Sequence, residues 1–155
     1  MKARILIVDD HEVLREGLKS LLARSRPEWE ICGEASDGEQ AIELVREQQP
    51  DIVILDITMP GMSGLEASSQ MRKLDLRTPI LIFTTHYSER LAIEVRKAGA
   101  QGYVLKSHAA RKLVLAIDAI LVGGTYYEDP STSETESARQ PKPGIILRQS
   151  FAFAT

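Results

Sequence analysis

Residues 52–64 read Ile52-Val53-Ile54-Leu55-Asp56-Ile57-Thr58-Met59-Pro60-Gly61-Met62-Ser63-Gly64. Four apolar residues, mostly β-branched, run into an acid and then into a turn rich in Gly and Pro. An apolar run this short, with no polar alternation, reads as a strand buried on both faces. The same grammar recurs along the chain. Ile5-Leu6-Ile7-Val8 stops at Asp9-Asp10, Ile80-Leu81-Ile82-Phe83 stops at Thr84-Thr85, and Tyr103-Val104-Leu105 stops at Lys106. Trp29 to Ala35 is a weaker strand.

Between these strands the apolar residues take helical spacing. Val13, Leu14, Gly17, Leu18, Leu21 and Leu22 form one face. Asp37 with Gln40 reads as an N-capping pair opening a helix with Ala41, Ile42 and Val45 inward, which ends before Pro50. A third helix carries Leu65, Met71 and Leu74. Ser88 caps a fourth with Leu91, Ile93 and Val95, and Ser107 caps a fifth with Leu113, Ile117, Ile120 and Leu121, closed by Gly123-Gly124. Five βα units with doubly buried strands imply an α/β three-layer sandwich, a parallel sheet covered on both sides. The expected strand order is the flavodoxin-like 2-1-3-4-5.

Composition bounds the rest. A chain of 155 residues with 43% hydrophobic residues suits one domain, here 1–124, with a linker-like tail over 125–155. Residues 130–144 are polar and rich in Pro, Ser and Thr, the composition of a disordered segment. Ile145-Ile146-Leu147, Phe151 and Phe153 leave a short docking segment as the other reading. The net charge is −3 with scattered Lys and Arg, which lacks the basic footprint of a nucleic-acid-binding domain. A lone Cys32 suits a reducing compartment. Lys2 and Arg4 precede only four apolar residues, unlike a signal peptide, and no apolar run nears the roughly 18 residues of a membrane span. A cytoplasmic protein without membrane association is expected.

Sites in open parallel sheets form at the carboxyl ends of the strands. There the sequence delivers Asp9 and Asp10, Asp56, Thr84 and Lys106. Two carboxylates 4 Å apart repel by roughly 4 kcal/mol at an effective dielectric near 20. Such a cluster needs cations: Lys106 supplies one, and a hard divalent ion such as Mg2+ supplies the rest. A carboxylate beside Mg2+ can attack phosphorus, and Asp56, central in the sheet, is the expected nucleophile. A single acid after a strand is more often a turn or cap residue. Five such groups at successive strand ends argue for chemistry.

Together, Val8-Asp9-Asp10, Leu55 to Gly64, Phe83-Thr84 and Gly102-Tyr103-Val104-Leu105-Lys106 resemble the receiver domains of two-component response regulators, over about residues 3–124. The resemblance implies a set of roles. Asp56 is the phosphoacceptor for a sensor histidine kinase or phosphotransfer protein. Asp10, Asp56 and the main-chain carbonyl of Thr58 are Mg2+ ligands, and Asp9 acts through water. Lys106 pairs with the acyl phosphate, Thr84 is the switch hydroxyl and Tyr103 the switch aromatic. Thr58 and His86 tune the lifetime of the phosphoryl group. Strand alternation alone leaves Thr85 as an alternative to Thr84. Ser107 stands where most receivers have proline, so the backbone there is expected to differ. Leu-Lys-Ser with Gly123-Gly124-Thr125-Tyr126-Tyr127 is similar to NarL/FixJ-type regulators. Those carry a helix-turn-helix domain, for which the remaining residues are too few, so no direct DNA binding is expected.

The implied function is a phosphoprotein switch with a phosphorylation-dependent homodimer as one output, not an enzyme with outside substrates. It is either a stand-alone receiver or a shortened transcriptional regulator. A phosphohydrolase with an aspartyl nucleophile would want an acid where Thr58 stands. A flavodoxin-like cofactor binder would want a phosphate-cradling loop where Asp9-Asp10 stand. His11, beside the acid pair, reads as a surface residue at a helix start, with contact to the site as the other reading. The resemblance also implies a partner-facing patch of Leu91, Val95 and Tyr103 that changes with phosphorylation.

Overall fold

The computed structural model describes residues 2–128. Its strands are β1 (Arg4–Val8), β2 (Glu30–Ala35), β3 (Ile52–Asp56), β4 (Ile80–Thr84), β5 (Gly102–Leu105) and β6 (Tyr126–Tyr127). Its helices are α1 (Glu12–Ser25), α2 (Gly38–Gln48), α3 (Gly64–Lys73), α4 (Glu89–Lys97) and α5 (Val114–Leu121). All strand pairs are parallel and the order is 2-1-3-4-5-6. The flavodoxin-like (βα)5 sandwich of the sequence reading is therefore present, with one correction: a sixth strand is added beside β5. The sheet thus runs past the expected boundary at residue 124. The part of the expected tail from residue 129 on lies outside the described residues.

Alternate residues of each strand feed two cores. Leu6, Val8, Val53, Leu55, Ile80 and Ile82 pack with Ala41, Val45, Ala67, Met71 and Val95 from α2, α3 and α4. Ile5, Ile7, Ile52, Ile54, Leu81 and Phe83 pack with Leu18, Leu22, Ala116 and Ile117 from α1 and α5. Burial on both faces explains why these strands show no polar alternation.

Caps place the helices. Asp37 accepts from the Gln40 N–H at 2.8 Å, as expected, while Gln40 Oε1 accepts from the Ser36 N–H. Ser63 and Glu66 form a full capping box on α3. Ser88 accepts from the Leu91 N–H at 3.0 Å. Ser107 does not cap: it lies in a 3-10 turn, Lys106–His108, followed by a π turn, Ala109–Leu113, before α5 begins. Ile93 is exposed rather than inward, and Val13 is exposed on α1. No cis peptide bond occurs among the described residues, Lys106–Ser107 included.

Candidate functional site

Strand register gathers the site. Val8 pairs with Leu55, so Asp9 stands level with Asp56; Asp56 pairs with Phe83, and Thr84 with Leu105, so Thr84 and Lys106 each stand one step further. The loop from β3 to α3 turns back tightly, with the Gly64 N–H donating to the Ile57 carbonyl at 2.8 Å. A side chain at Gly64 would collide with the Asp56 carbonyl oxygen, so the residue type is set by this close approach.

Asp9 and Asp56 are buried, at 1% and 5% exposure, and Lys106 is what holds them. Its Nζ lies 2.9 Å from Asp9 Oδ2 and 3.2 Å from Asp56 Oδ1. Burial, then repulsion from Asp9, pushes the Asp56 carboxyl above the usual carboxylate range, against the pull of Lys106 and a hydrogen bond from the Ile57 N–H. Oxygen or nitrogen atoms of Asp9, Asp10, His11 and Asp56 lie within 4.8 Å of one another. Asp10 Oδ1 is buried without a hydrogen bond; His11 Nδ1 is 3.2 Å away but lacks hydrogen-bond alignment. An orphaned carboxylate oxygen within an oxygen-rich cluster is what a hard divalent cation would satisfy, so these residues fit Mg2+.

Thr84 is buried and its hydroxyl donates to the His86 carbonyl at 3.4 Å, whereas Thr85 is exposed. Thr58 and His86 are exposed, on the loops that follow β3 and β4. Tyr103 is buried, stacked on Tyr87 at 5.7 Å and tilted against Tyr127 at 6.2 Å. With Val95 fully buried as well, the patch expected from Leu91, Val95 and Tyr103 is not a surface.

His11 has the exposed side chain of the preferred reading, yet it also touches the site, the other reading: its backbone N–H donates to Asp9 Oδ1 at 2.8 Å. One residue near the acids escaped the sequence reading. Arg15 donates to the Asp9 carbonyl at 2.5 Å and to Glu34 Oε1 at 2.9 Å. The available signal was its place one turn after His11, on the helix that opens at the acid pair.

No helix among the described residues is long and apolar enough to cross a membrane. The family model "Response regulator receiver domain" matches residues 5–118. "Transcriptional regulatory protein YdfI" of Bacillus subtilis (strain 168) is 45% identical over 120 residues, 77% of this chain and 55% of that protein. "Nitrate/nitrite response regulator protein NarL" of Escherichia coli (strain K12) is 40% identical over 121 residues, 78% of this chain and 56% of that protein. The chain spans about half the length of these curated relatives. Among solved structures, a LuxR-family two-component response regulator from Aurantimonas sp. SI85-9A1 superposes with a TM-score of 0.79 at 41% identity, covering 92% of this chain and all of that one. With an acid cluster, a bridging lysine and a family match running from β1 through β5, the chain belongs to the response regulator receiver domain family, in its NarL/LuxR branch.

Proposed function

We propose that this receiver carries a signal as a phosphoryl group on Asp56, taken from a phosphohistidine of a sensor histidine kinase or phosphotransfer protein. The observation that carries the reading is Lys106, whose single ammonium bridges the buried carboxylates of Asp9 and Asp56. An Asp56 oxygen attacks phosphorus as the P–N bond breaks, and the imidazole nitrogen leaves with the electron pair. Lys106 then pairs with a phosphoryl oxygen, where charge-assisted hydrogen bonds are strongest. The Thr84 hydroxyl turns from the His86 carbonyl toward the phosphoryl group, and Tyr103 repacks between Tyr87 and Tyr127. Loss of the group is hydrolysis: water adds to phosphorus, the bond to the Asp56 oxygen breaks, and inorganic phosphate departs.

Asp10, Asp56 and the Thr58 carbonyl would hold Mg2+, with Asp9 acting through water. Bound there, the ion would neutralise phosphoryl oxygens and orient the donor. Thr58 and His86, exposed at the rim, tune access of water to the acyl phosphate. The transfer is self-directed, so the protein is a switch and not an enzyme with outside substrates. Its setting is the cytoplasm, and its output is a protein contact or a phosphorylation-dependent homodimer. Acetyl phosphate with Mg2+ tests the reading. The wild type should gain the mass of one phosphoryl group, labile to base, and Asp56→Asn should gain none. An equal gain in Asp56→Asn would remove Asp56 from its role.

A further inference from the structure

Lys106 leaves β5 with Ser107, not proline, after it, and its strand end is held from outside the five βα units. The holding group is Glu128, the residue after β6, which is 4% exposed. Its N–H donates to the Tyr103 carbonyl at 3.2 Å. Its Oε1 accepts from the Leu105 N–H at 2.8 Å, and its Oε2 pairs with His108 Nδ1. One carboxylate therefore grips the residue before Lys106 and the residue two after it. A carboxylate this buried is costly unless both oxygens are satisfied, and here both are.

We propose that Glu128 is a positioning residue for Lys106. By tying Leu105 to His108 it sets the direction in which the lysine leaves the sheet, toward Asp9 and Asp56. The same bonds link Glu128, directly after β6, to the strand end that carries Lys106. A lysine displaced by an ångström forfeits much of its effect on a reacting group. The consequence for phosphoryl transfer rests on the reading of Asp56 as phosphoacceptor; the positioning itself does not.

The test uses the full chain with Glu128→Ala, Glu128→Met and Glu128→Gln. Glu128→Met fills the same volume and decides the matter if Glu128→Ala does not fold. The first readout is the ε-methylene NMR signal of Lys106 in lysine-labelled protein, assigned by its loss in Lys106→Met. The second is the rate of phosphorylation by acetyl phosphate with Mg2+. Glu128→Ala and Glu128→Met should move the Lys106 signal and slow phosphorylation at least about fivefold. Glu128→Gln, which keeps an acceptor for the Leu105 N–H, should stay within about twofold. In a Lys106→Met background, Glu128→Met should add nothing, because it acts through the lysine. An unmoved Lys106 signal in folded Glu128→Met, or the same slowing with and without Lys106, would overturn the proposal. If the wild type takes no phosphoryl group, the phosphoacceptor reading fails and the Lys106 signal alone decides for or against Glu128.

Discussion

Replacing Lys106 by methionine removes the charge and keeps most of the volume. The lysine faces two buried carboxylates, at 2.9 Å and 3.2 Å. At an effective dielectric of 20 these attractions come to about 6 and about 5 kcal/mol before desolvation. Taking an ammonium out of water consumes much of that. Breaking a buried pair by removing one partner typically costs about 3–5 kcal/mol, because the orphaned charge stays behind. Lys106→Met should therefore lower stability in urea by about 3–5 kcal/mol at neutral pH without Mg2+. In an Asp56→Asn background only Asp9 is orphaned, so the cost should fall by about 1.5–3 kcal/mol. Both effects should change little between low and moderate salt, since these groups are shielded from the ions. Equilibrium unfolding of the four proteins of the cycle measures all of this. A Lys106→Met variant as stable as the wild type, or one whose cost is the same with Asn at position 56, would refute the electrostatic account of the site.

Asp56→Asn should itself stabilise the neutral-pH protein, because burial and Asp9 raise the pKa of Asp56 on folding. A raised folded pKa means favourable linkage below the unfolded value and its loss as pH rises through the folded one. The gain from Asn should thus shrink in acid, which urea melts at two pH values will show. Asp10→Asn should weaken Mg2+ binding at least about tenfold by calorimetry, since the orphaned oxygen is its contribution. Gly64→Ala should destabilise by about 1–3 kcal/mol in thermal melts, because its Cβ meets the Asp56 carbonyl; wild-type stability would mean the loop gives way freely.

Strands β1, β3, β4 and β5 were legible because each carries its own signal, apolar on both faces and ending in a polar group, while β2, with Glu30 and Glu34, gives only a weaker one. The site was legible for the same reason, since Asp9, Asp56, Thr84 and Lys106 are the residues at which those runs stop. What escaped depends on pairing across the chain. Tyr126-Tyr127 is too short for a period, and only Gly102, whose missing side chain admits the Tyr126 carbonyl, makes room for it. Glu128 falls within the stretch read as a linker-like tail, and only the Leu105 N–H and His108 on either side of it tie it to the domain. Ser107 has the chemistry of a cap, but the 3-10 and π turns that follow Lys106 put the first α-helical residue at Val114. Ile93 stands two residues from both Leu91 and Val95, so on a helix it faces away from the buried Val95.

The two-residue strand β6 also has a bearing on how this protein behaves in crowded solution. Exposed strand margins are templates on which other chains add, and natural sheets cover or blunt them. Here the Tyr126 N–H donates to the Gln101 carbonyl and the Glu128 N–H to the Tyr103 carbonyl, so the edge of β5 is already occupied there. A version cut after Gly124 would bare a fully apolar β5 along its length. It should self-associate as its concentration rises, a tendency light scattering would register, while the longer chain stays dispersed.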